Sequence, residues 1–286
     1  MNLSVVIITY NEEANIGRTL ASVQPLVADS KGEIIVVDSG STDRTVEIAK
    51  SYGAKVFVEK WKGFAAQKNS GIQKANWAWV LSLDADEELS PELAAHLRSA
   101  MTDDANGPFE WNVAPKWSVP YGDLRTDPGP LPQAFWISRK NHFLGRWVRH
   151  GGFYPDRKLR LFARGNALFD ESRSVHEDIQ TTWRSAVVTV GTLIHHSYPT
   201  LSDYIDHMNR YSSLGAEMVA AKGKVPFSFI NIVLRPFFTF VYNYIFRLGF
   251  LDGREGLLLH LYHAVYVSWK YAKAWELSRH KPTLSS

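Results

Sequence analysis

Leu3-Ser4-Val5-Val6-Ile7-Ile8-Thr9-Tyr10-Asn11-Glu12-Glu13 begins as a run of branched apolar residues and stops at a polar cluster, after which Ile16, Leu20 and Val23 recur at helical spacing. That predicts strand, loop, helix. The pattern returns in Glu33–Val37, closed by Asp38-Ser39-Gly40-Ser41-Thr42-Asp43 and followed by Val46, Ile48 and Ala49. Lys55–Val58 reads as a third strand, Gln67–Ala75 as a helix, and Trp77–Leu83 as a fourth strand ending at Asp84-Ala85-Asp86. Strands alternating with helices predict an α/β, Rossmann-like, mostly parallel sheet flanked by helices. Polar residues gather after each strand, at the rim where such sheets bind ligands.

Outward from this half, the chain has 286 residues, 45% hydrophobic and 13% aromatic, enough to fill a core and exclude disorder as the main state. A net charge of +3 argues against a globally basic nucleic-acid binder. The charge is uneven: from Lys222 onward nine Lys/Arg face three Asp/Glu, which is +6, leaving −3 for the first 221 residues. With no cysteine, disulfides, thiolate metal sites and cysteine nucleophiles are excluded. Chemistry must use oxygen, nitrogen and metal. Residues 103–134 carry six prolines and two tryptophans without a sustained period and read as an ordered loop or lid. Phe135–Arg139 and Lys158–Arg164 read as later strands, and 201–221 as a helix.

Asp84 and Asp86 are two carboxylates at a strand end, a pattern suited to sharing a hard divalent cation, Mg²⁺ or Mn²⁺, with a diphosphate. Helix capping before Ser90-Pro91-Glu92 is the competing reading, and Glu87 and Glu88 either tune the site or start that helix. Asp38 suits a base or ribose contact, or equally an Asx-turn. The G-x-G-x-x-G signature of NAD-binding folds is missing after the first strand, and no phosphate loop occurs. His195-His196 invites a metal reading, but adjacent strand histidines face opposite ways, which favours a structural role.

Val5–Glu13, Val36–Asp43 and Leu83–Glu87 together resemble, in order, the three nucleotide-sugar motifs of glycosyltransferase family 2. The resemblance implies a GT-A fold, a nucleoside-diphosphate sugar donor, a divalent cation and inversion at the anomeric carbon. On this comparison Thr9, Tyr10 and Glu12 line the nucleoside pocket, Asp38 contacts the base, and Asp84 and Asp86 serve ribose, diphosphate and metal. Gln67, Lys68 and Asn69 match the stretch approaching the diphosphate, with Lys68 alternatively a solvated helix residue. Arg139–Trp147, Arg149–Gly152, Tyr154–Asp156, Leu159–Phe162 and Val175-His176-Glu177 resemble the bacterial lipopolysaccharide-core β-1,4-glucosyltransferase branch, which implies UDP-glucose as donor and an inner-core acceptor. Inverting transfer needs a base opposite the leaving group. Glu177 matches the acidic motif, Asp178 is the alternative, and a buried structural carboxylate the bland one. Among Arg149, Arg157 and Arg160, which suit a diphosphate or an anionic acceptor, Arg160 comes first.

The tail predicts two amphipathic helices. Phe227, Ile230, Leu234, Phe237, Val241 and Ile245 form one stripe; after Gly249-Phe250-Leu251-Asp252-Gly253, residues Leu257, Leu261, Ala264, Val265, Trp269 and Ala272 form another, with Lys270 and Lys273 at its basic end. These helices either pack on the catalytic domain or lie as a hairpin in an anionic membrane interface. The expected division is 1–221 catalytic and 222–286 membrane-associating. Met1-Asn2-Leu3-Ser4 lacks the basic region of a signal peptide, so the expectation is a cytoplasmic enzyme, peripheral on the inner membrane, acting on a lipid-linked glycan. Transfer to polyprenyl phosphate or another envelope glycan, and a catalytically silent adaptor, are the rivals.

Overall fold

The computed structural model describes residues 2–28, 32–102, 132–165, 167–171, 179–181 and 185–280. The lid expectation falls largely on 103–131, and Glu177 and Asp178 fall within 172–178; both lie outside the described residues. The chain divides into two compact units, one comprising Met1–Arg139 and Asp156–His195, the other Lys140–Pro155 and His196–Ser286. These bounds differ from a cut at 221/222 and group the 201–220 helix with the tail.

In the first unit β1 (Leu3–Thr9), β2 (Gly32–Asp38), β3 (Lys55–Val58) and β4 (Trp79–Asp84) lie side by side in the order β3-β2-β1-β4, all parallel. Between them run α1 (Ile16–Val27), α2 (Thr45–Ser51) and α3 (Phe64–Lys74). Strand alternation assigns the residues to two cores: Val5, Ile7, Ile34 and Val36 pack with Leu20 and Val23 on one face, while Val6, Ile8, Ile35 and Val37 pack with Ala65 and Ile72 on the other. The α3 backbone comes so near the sheet that a Cβ at Gly71 would lie 2.4 Å from Val6 Cγ1.

Past β4 come β5 (Glu87–Leu89), α4 (Pro91–Thr102), β6 (Ala134–Phe143), β7 (Arg146–Trp147), β8 (Asp156–Ala163), β9 (Ala167–Phe169), β10 (Ile179–Thr181) and β11 (Ser185–Tyr198). β8 runs antiparallel to both β4 and β6, β7 to β6, β5 to β11 and β10 to β9. The α/β arrangement expected from the chain order is present, with its parallel half at the N-terminus.

In the second unit α5 (Leu201–Ala220) starts at a capping box between Thr200 and Asp203. A helical stretch then runs through π-helical turns at Ile230–Leu234 and Tyr242–Phe246, with α6 (Arg235–Val241) between them, before α7 (Gly253–His280). Pro236 explains the first widening, because it has no N–H for the normal ladder. Ser268 Oγ donates to Ile232 O at 2.8 Å, and Phe227 meets Trp275 edge-on at 5.3 Å, so this stretch and α7 form a hairpin. The first stripe is exposed as expected: Phe227, Ile230, Phe237 and Ile245 are each at least half exposed.

The second stripe divides. Leu257 and Leu261 face outward, whereas Leu259, Ala264, Val267 and Ala274 are buried. Lys273 is no lipid-facing cation either, since its Nζ donates to Asn209 O and Oδ1, Ser212 Oγ and Ser213 Oγ on α5 at 2.6–2.9 Å. Among the described residues, no helix is long and apolar enough to cross a membrane.

Candidate active site

Parallel register brings three strand ends to one rim. Thr9 pairs with Asp38 and Ile8 with Asp84, so the loops after β1, β2 and β4 share an edge. The first two loops tie together: Asn11 N donates to Ser41 Oγ at 2.8 Å, Thr42 N to Asn11 Oδ1 at 2.8 Å, and Glu12 N to Thr45 Oγ1 at 2.7 Å. Asn11 adopts a left-handed φ of 53°, which asparagine tolerates better than most residues. Tyr10 projects outward at 57% exposure. Thr9 Oγ1 and both amide ends of Gln67 are buried without hydrogen-bond partners. Such groups cost free energy unless something completes them.

Asp38 is spent on its own turn. Its Oδ1 accepts from Gly40 N and Ser41 N, both at 2.9 Å, and its Oδ2 from Ser41 Oγ. With no accessible surface, this carboxylate shapes the loop in the manner of an Asx-turn.

Asp84 sits between two cations. Lys68 Nζ lies 2.8 Å from Oδ1, and Arg160 contacts Oδ2. Burial alone would raise the Asp84 carboxyl, yet the Arg160 and Lys68 charges hold it well below the usual carboxylate range. Arg160 also reaches Glu87 Oε1 at 2.6 Å; Glu87, fully buried, takes Arg139 at 2.8 Å and accepts from Asp84 N at 3.1 Å through Oε2. Arg139 continues to Asp156 at 2.6 Å. The result is an alternating row, Lys68, Asp84, Arg160, Glu87, Arg139, Asp156, in which each buried charge has an opposite neighbour. Lys68 is therefore no solvated helix residue. Arg160, 4% exposed, places Nη2 against both carboxylates, while its Nε is buried without a partner.

Asp86 faces differently. Its Oδ2 lies 3.1 Å from His195 Nε2, and His195 offsets burial to lower the Asp86 carboxyl. His195, expected to be structural, thus belongs to the acidic turn, while His196 stacks on His142 at 5.6 Å as strand alternation requires. Glu12 is pushed up to about 7, chiefly by burial, against the Asn15 hydrogen bond and with the Asp86, Asp43 and Asp84 charges adding to it. That accumulated negative potential suits a cation. Among the described residues no group of three or more His, Cys, Asp or Glu stands ready to hold a metal. The donor set fits an ion that takes one or two carboxylates and completes its shell with phosphates and water, as Mg²⁺ does.

Asn69 brackets β9. Its Nδ2 donates to Phe169 O at 3.0 Å and to Glu171 Oε1 at 2.8 Å, while Phe169 N donates to its Oδ1 at 2.8 Å. Asn69 thus holds the strand leading toward 172–178 and has no amide hydrogen left over for a phosphate. Glu87, which the sequence leaves between tuning the site and starting a helix, sits in this buried row, and Arg139, which the sequence places only in a strand and in the family resemblance, pairs with it at 2.8 Å. The signal for Arg139 was a basic side chain closing the largely apolar run Phe135–Arg139, because a charged residue on the inward face of a strand needs an opposite partner there.

The model of the family described as glycosyl transferase family 2 matches residues 4–161, more than half of the chain. The chain belongs to glycosyl transferase family 2. This glycosyltransferase is 29% identical over 282 residues to a lipopolysaccharide core biosynthesis glycosyltransferase, LpsC, of Rhizobium meliloti, covering 96% of this chain and 92% of that one. It is 30% identical over 277 residues to an uncharacterised glycosyltransferase of Rickettsia typhi, covering 96% and 87%. Among solved structures, TarS 1–349 of S. aureus in complex with UDP aligns over 100% of this chain and 93% of its own at 17% identity, with a TM-score of 0.46.

Proposed function

We propose that this family 2 glycosyltransferase moves a sugar, glucose from UDP-glucose, onto a lipid-linked glycan such as lipopolysaccharide inner core, with inversion at the anomeric carbon. The observation that carries the reading is the acidic turn at the end of β4, where Asp84 is neutralised by Lys68 and Arg160 while Asp86 keeps an oxygen outside that row. The name of the LpsC relative supports the acceptor class, and the order of the three motifs supports the donor class.

In this reading Thr9, Tyr10 and Glu12 border the nucleoside, with Asp38 and Asn69 shaping the loops beside it. Asp84, clamped from two sides, offers a fixed acceptor to the donor's ribose or diphosphate. Asp86 would hold a divalent cation, Mg²⁺ or Mn²⁺, whose charge would neutralise the departing diphosphate. Lys68 stands within reach of the same negative charge. Glu177, or Asp178 beside it, takes the proton of the acceptor hydroxyl as its oxygen bonds to the anomeric carbon and the bond to the phosphate oxygen breaks. The exposed face of the tail, with Phe237, Phe238 and Phe246 at 58%, 62% and 73% exposure beside Arg235 and Arg247, suits an anionic membrane surface, and so a peripheral place on the inner face of the bacterial inner membrane.

The test is a donor panel read by mass spectrometry against a lipid A-core extract, with polyprenyl phosphate as the competing acceptor. Mn²⁺-dependent hexose addition to the core supports the reading, and addition to polyprenyl phosphate alone overturns the acceptor assignment. Glu177→Gln should keep UDP binding and lose about 10²–10⁴-fold in transfer. Full transfer by that variant assigns the base to another residue.

A further inference from the structure

Residues 140–155 contain three Lys/Arg and no Asp/Glu. Two of the cations converge on one ring: Lys140 Nζ lies 4.7 Å from the Trp147 ring centroid and Arg149 Cζ lies 5.6 Å from it. Tyr154 meets the same indole edge-on at 5.2 Å. The third cation, Arg146, pairs with Glu255 at 3.5 Å; among the described residues the side chains of Lys140 and Arg149 meet no carboxylate. The indole quadrupole offsets part of the mutual repulsion and leaves the positive charge unspent. Trp147 Nε1 is a further donor that is buried without a partner.

The presenting loop is built to stay in place. Asp252, itself 3% exposed, accepts from Arg149 N at 3.2 Å, from His150 N at 2.7 Å, and lies 2.9 Å from His150 Nδ1. Gly151, at φ 66°, lies against the His260 ring so closely that a Cβ would fall 2.0 Å from it. A buried carboxylate that organises two consecutive backbone amides gives the loop a single conformation and holds the Arg149 backbone where its side chain reaches Trp147.

We propose that Lys140, Trp147 and Arg149 form a subsite for an anionic saccharide, one bearing a phosphate or a carboxylate on the sugar. Lys140 and Arg149 take the anion by charge-assisted hydrogen bonds, and the aromatic pair Trp147 and Tyr154 borders the sugar ring. The saccharide half of this statement rests on the glycan acceptor proposed above; the anion half rests on the two cations.

The experiment is calorimetric titration of the full chain with glucose 6-phosphate, glucuronate, glucose and inorganic phosphate, with UDP plus Mn²⁺ titrated separately. The expected result is that at least one of the two anionic sugars binds about tenfold or more tightly than glucose and than inorganic phosphate, and that K140M/R149M loses about tenfold or more of that affinity. K140R/R149K, which keeps both charges, should restore most of it. Glucose binding as well as its anionic relatives, or an unchanged affinity in K140M/R149M, overturns the subsite. Inorganic phosphate binding as tightly as glucose 6-phosphate overturns its saccharide character. UDP that fails to bind while the anionic sugars behave as expected removes the donor reading and leaves the subsite standing.

Discussion

Glu33 shows how one carboxylate acts at the base of the sheet. Burial alone would raise it, but hydrogen bonds from Lys55, Asn76 and Ser4 prevail and hold it at about 2. Because the folded value lies below the ordinary 4.5, its contribution is full above about pH 4.5 and fades as pH falls toward 2. Glu33→Gln should therefore cost about 2 kcal/mol in denaturant titration at pH 7 and almost nothing near pH 2; an equal loss at both would refute the linkage. Glu12 has the opposite sign. Its folded value of about 7 exceeds the ordinary one, so the folded chain keeps its proton longer and stability falls as pH rises from about 4.5 through 7. At the rim, Arg160→Met leaves buried Glu87 and Asp84 short of a counter-charge and should destabilise by about 3–5 kcal/mol. A melting transition unmoved by that change would mean that the alternating row does not hold the turn.

Element by element, the sequence disclosed what local pattern governs. Leu3–Thr9, Glu33–Val37 and Lys55–Val58 are branched runs whose neighbours are set by short helical crossovers, so their parallel pairing followed from the chain order. The direction of β8 did not, because it pairs with β4, far away in sequence. Glu87 illustrates the same limit: beside two aspartates it reads either as tuning the acidic site or as starting the next helix, and only the pairing of β5 with β11, opposite His195, encloses it. The start of α3 was missed by three residues, since Phe64-Ala65-Ala66 follows Gly63 without a polar cap to announce it. The π-helical turns were invisible to a search at three- and four-residue steps. Within α3, Gly71→Ala should cost about 1–3 kcal/mol, because the new methyl meets Val6 in a sheet that cannot retreat. Loss of less than half a kcal/mol in chemical unfolding would show that α3 can move outward.

For the whole molecule, three ordered motifs made the family legible, whereas the burial of Asp38, the pairing of Arg160 with Asp84 and Glu87 and the engagement of Lys273 with α5 required the fold. The exposed apolar face of the tail bears on membrane attachment. Phe238→Asp with Phe246→Asp should reduce co-flotation with phosphatidylglycerol-containing vesicles by about tenfold. Undiminished flotation would place attachment elsewhere. Lys273→Glu is the wrong probe, because it breaks α5 from α7. The β4 rim is expected to grip a nucleotide through a cation, and UDP titration with Mn²⁺ or with EDTA, on the natural chain and on Asp86→Asn, tests this most directly. The expected result is Mn²⁺-dependent binding that weakens about tenfold or more in Asp86→Asn at an unchanged melting temperature. Equal UDP affinity in both chains, or affinity indifferent to EDTA, would contradict it.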